Sequence, residues 1–283
     1  MIEAKIIADS KSIRGERLTT FLLTFPRIIL AEFNTHRMFS RNSASSRAIP
    51  FAKMVESVET NPFIPIAWQK EHKGMQGSEY WTEENIIKYL EDSWIESMHK
   101  ALQSAKLLTS KGVTKQLCNR LLEPFMWHTV ICTATEYSNF FKLRDHEAAE
   151  IHIQELARRM KEAMNESTPR ELNVGEWHIP FANNIERSSE DKWKNISFEI
   201  DNVVVKIATA RCARVSYTTV GSTSNSSHTS DIELYNRLLE SGHMSPFEHC
   251  AQVMEPERYF EKPYSRNFRG FVQYREIVEA SLH

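Results

Sequence analysis

The segment from His36 to Arg47 packs three arginines, one histidine, four serines and one asparagine into 12 residues. Guanidinium groups are planar two-pronged donors and hydroxyls add shorter ones, so such a stretch suits a phosphate or diphosphate ligand. A solvated basic loop has the same composition, and composition alone leaves both readings open. Ser45 has no histidine or acid in its own motif spaced as a dedicated base, so it reads as a phosphate ligand, not a nucleophile. A second concentration is Gly242-His243-Met244-Ser245-Pro246-Phe247-Glu248-His249, a turn carrying histidine and glutamate. As a metal site it lacks a third and fourth ligand at usual spacing, and a structural histidine turn is the alternative. His146-Glu147-Ala148-Ala149-Glu150 misses a zinc-protease helix because Glu150 stands where the second histidine must be. Glu96-x-x-His99 has half of a di-iron spacing with no second copy.

The rest of the composition narrows the chemistry. Eight glycines among 283 residues assemble no GxGxxG, GxxxxGK[ST] or GxSxG, which excludes a fingerprint dinucleotide fold, a P-loop and a nucleophile elbow. With 35 Lys plus Arg against 37 Asp plus Glu, the net charge of -2 argues against a general nucleic-acid or membrane-surface binder. The start of the chain does not read as a signal peptide, and the most apolar stretch, residues 21–33, carries Pro26, Arg27 and Glu32. Four widely spaced cysteines form no CxxC, so reduced thiols in a cytoplasm are the expectation.

Several elements must position these residues. Runs at 2–8 and 17–25 predict a β-hairpin across the turn at 10–15, and Pro26 opens a short helix leading into the His36–Arg47 segment. Apolar residues at helical spacing predict a long helix over 82–110, capped by Thr82 and followed by Gly112. Thr114 caps a short helix ending before Pro124, and 126–132 is either a strand or a buried helix segment. Asp145 is read as the cap of a second long helix reaching Asn165. Residues 196–205 look like a strand, 208–215 like a helix, and 218–230 like a loop. Asp231 is read as the cap of a helix that Gly242 ends.

Taken together, the two chemical segments change the picture. His36-Arg37-x-x-Ser40-x-Asn42-x-x-Ser45-x-Arg47 resembles the signature of the flavin-dependent thymidylate synthases. Gly242-His243-x-Ser245-Pro246-Phe247-Glu248-His249 resembles that family's flavin-contacting segment, and Ala213-Arg214-Val215-Ser216-Tyr217 its helix before a loop. Asn119-Arg120-Leu121-Leu122-Glu123-Pro124, then Asn139 through Leu143-Arg144, form a further matching block. The resemblance covers roughly residues 20–165 and 207–254, leaving 170–206 as insertion or linker and 255–283 as an extra C-terminal segment. The order is inverted relative to the family, since the Gly-His…Glu-His segment here follows the Arg/Ser signature. The chain therefore resembles a circularly permuted member, one domain over 1–283.

Three departures accompany the resemblance. Thr35 occupies the place of the first arginine of Arg-His-Arg, Glu32 that of a glutamine contacting the nucleotide, and Glu147-Ala148 that of a serine and a histidine. The arginine- and aromatic-rich segment 265–275 has no counterpart and is a candidate source of the missing donors.

The resemblance implies a mixed α/β (α+β) fold, an antiparallel sheet packed against the helices at 82–110 and 145–165. It implies a homotetramer with sites between subunits. The implied reaction is methylation of dUMP to dTMP with FAD, methylenetetrahydrofolate and NADPH. No Pro-Cys dipeptide exists, so the cysteine-dependent route to the same product lacks its nucleophile. Thr35, His36, Arg37, Asn139, Ser216, His243, Ser245 and Glu248 are the implied flavin contacts. Glu32, Ser43, Ser45, Ser46, Arg47, Arg120 and Arg144 are the implied nucleotide contacts. Arg144 is the implied catalytic group, stabilising enolate-like charge on the pyrimidine; an ion pair with Asp145 or Glu147 is its structural alternative. The departures keep open a one-carbon transfer or hydroxymethylation on dCMP, and a nucleotide-binding homologue without catalysis.

Overall fold

The computed structural model describes residues 1–74, 77–182, 198–216 and 227–282. The predicted hairpin is present as β1 (Glu3–Ser12) and β2 (Arg17–Pro26). Gly15 turns the chain at φ +101°, a left-handed conformation that glycine adopts without steric cost. Pro26 opens a 3-10 turn that passes into α1 (Leu30–Phe33), and β3 (Ser40–Ser43) follows. Next come α2 (Phe51–Thr60), α3 (Glu84–Ser110) and α4 (Lys115–Cys118), which runs into a 3-10 helix at Asn119–Phe125. The ambiguous run after it is a strand, β4 (Trp127–Ala134), and then come α5 (Ser138–Arg144) and α6 (Ile151–Glu166). Short strands β5 (Arg170–Leu172) and β6 (Trp177–His178) precede α7 (Phe198–Arg214) and α8 (His228–Glu240). The chain ends with β7 (Ala251–Val253), α9 (Pro256–Glu261), β8 (Tyr264–Ser265), β9 (Phe268–Arg269), β10 (Phe271–Gln273) and α10 (Tyr274–Ser281).

A five-stranded sheet in the order β3-β4-β2-β1-β5 forms the centre, antiparallel except that β5 runs parallel to β1. Side chains alternate across it. Phe21, Leu23 and Phe25 face α6, where Ile153, Leu156, Ala157 and Met160 bury with them. On the other face Leu18 packs on Ala251, Val253, Phe268 and Phe271, while Ile131 packs on Cys212 and Val215 of α7. Coverage on both faces is why β4 is buried along nearly its whole length, its His128 and Thr133 included.

A buried polar chain joins the sheet to this second layer. His178 bonds Ser10 Oγ at 2.8 Å and Thr20 Oγ1 at 2.7 Å, and Thr133 Oγ1 bonds Thr20 Oγ1 and His249 Nδ1, both at 2.8 Å. Burial drives the pKa of His178 and of His249 down to about 3, so both rings are neutral.

Several expectations need correction. The helix at 82–110 packs mainly on other helices, not on the sheet face: Met98, Leu102 and Ala105 of α3 pack on Met54 and Val58 of α2 and on Leu122 and Phe125. It begins at Glu84 with no side-chain cap from Thr82. Asp145 caps nothing at a helix start: it closes α5, and Glu150 caps α6 by accepting from the backbone N–H groups of His152 and Ile153. The strand expected up to Val205 is helix α7 from Phe198 onward. Ser227, not Asp231, caps α8, and Asp231 is instead fully buried against Arg211 Nε (3.1 Å) and Arg214 Nε (2.8 Å). Tyr217 and residues 218–226 of the expected loop lie outside the described residues, as do 183–197. Among the described residues no helix is long and apolar enough to cross a membrane.

Candidate active site

α1 ends just before the arginine-rich segment and β3 runs through its middle, and together they decide which way its side chains face. Arg41 turns inward and donates to the carbonyls of Phe33 (3.4 Å), Asn34 (3.0 Å) and His36 (3.2 Å), holding the 33–37 loop against the sheet. Asn42, next on the strand, reaches across to the second layer. Its Nδ2 donates to the Cys212 carbonyl at 2.9 Å, and its Oδ1 accepts from Ser216 Oγ (3.3 Å) and Ser245 Oγ (3.4 Å). One amide therefore ties three segments together, the nearer of the two serines lying 174 positions away.

Beside Asn42 opens a cavity of about 440 Å³ lined by Ser43, Ser45, Arg47, Gln116, Ser216, His243 and Ser245. Arg47 is exposed at its rim, and its Nε donates to Gln116 Oε1 at 3.2 Å. His243 is steadied by Ser241 Oγ at 2.9 Å from its Nδ1.

A second cavity of about 190 Å³ lies between the 35–39 loop and α5, lined by Thr35, His36, Arg37, Met38, Glu136, Asn139 and Arg144 among others. His36 sits here against Phe39 and Phe140, with ring centroids 5.9 and 4.8 Å away. Burial, and then the charges of Arg144 and Arg41, lower its pKa to about 4. The ring is therefore neutral near pH 7, and its Nε2 accepts from Arg144 Nε at 3.1 Å. Arg144 makes neither of the ion pairs foreseen as its structural alternative; Asp145 pairs with Lys161 at 2.7 Å.

The structure thus gathers Ser43, Ser45, Arg47, Ser216, His243 and Ser245 at one cavity and Thr35, His36, Arg37, Asn139 and Arg144 at another. Arg144 shares its cavity with implied flavin contacts, not with Ser45 and Arg47. Four implied contacts line neither cavity. Ser46 is buried and donates to Glu123 Oε1 at 2.6 Å, Glu123 in turn facing Arg27 at 3.5 Å. Arg120 is exposed on the 3-10 helix. Glu248 pairs with Arg275 at 2.7 Å. Glu32 keeps a buried Oε2 with no hydrogen-bond partner among the described residues. The Thr35 hydroxyl turns back to the Glu32 carbonyl at 2.7 Å. The segment 265–275 brings no residue to either cavity lining. Asn42 and Gln116 were not among the expected contacts. Asn42 stood in the quoted motif, but its partners are far off in sequence, and Gln116 carried no motif at all.

The family model described as thymidylate synthase complementing protein, Thy1, matches residues 11–170. That span holds the His36–Arg47, Asn119–Pro124 and Asn139–Arg144 blocks, and Gly242–His249 lies beyond it. Among solved structures, the UMP/dUMP methylase PolB from Streptomyces cacaoi bound with 5-Br dUMP is 14% identical, covering 59% of this chain and 91% of its own at a TM-score of 0.46. The same methylase bound with 5-Br UMP is 15% identical, covering 59% and 89% at a TM-score of 0.47. A search of curated proteins returned no match.

Proposed function

Because the chain belongs to the thymidylate synthase complementing protein family, Thy1, we propose that it methylates C5 of a pyrimidine deoxynucleotide, most simply dUMP to dTMP. FAD is the proposed cofactor, with methylenetetrahydrofolate and NADPH as co-substrates. The observation that carries this reading is the convergence on Asn42, whose amide joins Ser216 and Ser245 beside the Ser43–Arg47 arm. Two separate segments of the sequence thereby supply one cavity with hydroxyls, a histidine and an arginine.

The donor sets fit the proposed ligands by their chemistry. Arg37 and Arg144 with neutral His36 and Asn139 offer charge-assisted and neutral donors suited to a diphosphate and to the polar edge of a ring system. About 190 Å³ is smaller than the ~300–1,000 Å³ of a whole-ligand site, so this cavity takes part of a dinucleotide, the remainder lying outside it. Within one protomer Arg144 and Arg47 line different cavities. Both facts favour a site completed by a second copy, which agrees with the homotetramer that the family resemblance implies and that we propose. We read the segment order as a circular permutation of one domain.

When bound, the flavin supplies the hydride chemistry that no side chain can. The protein orients and polarises. Ser45 and Arg47 hold the monophosphate, and Asn42 fixes the distance between that arm and Ser216 and Ser245. Arg144, aligned by His36, presents its remaining guanidinium N–H groups to the pyrimidine carbonyl edge. There it stabilises the negative charge that makes C5 nucleophilic. His36 is not a proton donor of ordinary strength here, because burial holds its pKa near 4; it acts as an acceptor that aims Arg144.

One observation favours a second reading. Glu32 lines neither cavity of one protomer, but its buried Oε2, without a hydrogen-bond partner among the described residues, is an acceptor, and an acceptor suits the exocyclic amino group of cytosine better than the carbonyl of uracil. One-carbon transfer or hydroxymethylation on dCMP is the reaction that follows. Flavin content is the first test of the proposal. The purified protein should absorb in the visible as a flavoprotein, and Arg37→Ala should release FAD. Unchanged flavin content in that variant removes Arg37 from the site.

A further inference from the structure

The C-terminal segment, which matches nothing in the family blocks, touches the arginine-rich loop at one place. β8 and β9 form a hairpin pairing Ser265 with Phe268, so Arg266 and Asn267 are its two-residue turn. Arg266 takes φ +55°. That left-handed conformation is usual for glycine at the first position of such a turn and costly for arginine. The turn delivers the Asn267 side chain to the loop. Its Nδ2 donates to the Met38 carbonyl at 2.9 Å and to Ser40 Oγ at 3.0 Å. Its Oδ1 accepts from Gln273 Nε2 at 3.0 Å, and Gln273 also donates to Ser40 Oγ at 3.2 Å. Ser40 and Gln273 are both buried. Both donor hydrogens of Asn267 and its carbonyl oxygen are in use, Ser40 Oγ also lying 3.4 Å from Oδ1, so its amide orientation is set by the network.

We infer that the β8–β9 hairpin is a clamp on the 36–40 loop, with Asn267 as the positioning residue that fixes the Arg37–Phe39 rim of the smaller cavity. Arg41 secures the loop from within by taking the Phe33, Asn34 and His36 carbonyls, and Asn267 takes the Met38 carbonyl from outside. Arg275, two residues beyond Gln273, extends the same grip to Glu248 at 2.7 Å. An arginine-rich loop left to itself would sample many conformations, and a ligand would have to order it on binding. The clamp orders the rim beforehand.

The functional consequence rests on the proposed ligand site, but the clamp itself is testable without any ligand. Hydrogen–deuterium exchange of the full chain, read peptide by peptide, compares wild type with Asn267→Ala and the isosteric Asn267→Asp, which lacks the Nδ2 donors. The Phe39 amide, bonded to the His36 carbonyl, is the local reporter. Exchange across 36–41 should rise at least about fivefold in both variants, as loss of hydrogen bonds worth ~1 kcal/mol each implies. The β1–β2 hairpin should keep its protection. Gln273→Met should give a smaller rise at the same place. Unchanged exchange at 36–41 overturns the clamp. Faster exchange everywhere, β1–β2 included, overturns it too, since Asn267 would then hold the fold and not the loop. A wild-type protein without flavin would refute the proposed function and leave this result standing. In the flavoprotein, FAD affinity should fall at least about fivefold in Asn267→Asp, tracking the exchange.

Discussion

Replacing Arg144 separates its proposed catalytic role from a merely structural one. Its Nε donates to a neutral His36 at 3.1 Å, and its charge is the second cause, after burial, of the depressed histidine pKa. Arg144→Ala removes that charge, so the His36 pKa should rise from about 4 and yet stay below 6.5, because burial is the larger cause and remains. Turnover should fall at least ~100-fold, equivalent to ~2.7 kcal/mol of transition-state stabilisation and comparable to removing one oxyanion donor. Flavin should stay bound, since Arg37, His36 and Asn139 are untouched. Arg144→Lys keeps a positive charge beside His36 but loses the planar fork. It should therefore leave the His36 pKa low while restoring little turnover. NMR titration of His36 and steady-state kinetics at saturating nucleotide read the two effects independently. If Arg144→Ala raises the His36 pKa but turns over normally, Arg144 only props the histidine and the activating group lies elsewhere.

Three further outcomes follow from the same geometry. Arg47→Ala should weaken nucleotide binding at least roughly tenfold, since a charge-assisted phosphate contact contributes ~1.5–3 kcal/mol; titration calorimetry measures it. Asp231→Ala strands Arg211, which is 1% exposed, and should cost ~3–5 kcal/mol in chemical denaturation. Stability should also decline in acid. His128, His178 and His249, held near pKa 3 by burial, and His36 near 4, stay neutral when folded but take up protons on unfolding below about pH 6.5. Their contribution is therefore full above pH 6.5 and is lost as pH falls toward 3. Denaturation midpoints at pH 7 and pH 5 should show the loss, and His178→Phe should flatten the dependence.

Local chemistry was legible where local chemistry decides structure. The β1–β2 hairpin followed from two β-rich runs and a glycine turn, and the Thr114 cap is made as expected, its hydroxyl accepting from the Gln116 amide. Misreadings arose where a residue serves a distant partner. Asp231 has the composition of a cap but is spent as counterion to Arg211 and Arg214 of the preceding helix. Residues 203–205 are three valines, strand-like by propensity, yet burial of Val204 and Val205 in a helical layer overrides that preference. In the site, the His36–Arg47 and Gly242–His249 segments stood out by composition. Their division between two cavities did not, because it depends on Asn42 reaching Ser216 and Ser245 and on Arg144 reaching His36, 108 residues apart. No residue type announces such a contact.

The most direct test of the central claim offers dUMP and dCMP side by side to the purified flavoprotein, with methylenetetrahydrofolate and NADPH, and identifies products by mass. The account predicts conversion of dUMP to dTMP, NADPH oxidation coupled to it, and no product from dCMP. A hydroxymethylated or methylated cytosine nucleotide would shift the specificity to the Glu32 reading. A flavin-free protein that binds nucleotide and makes no product from either would contradict the account.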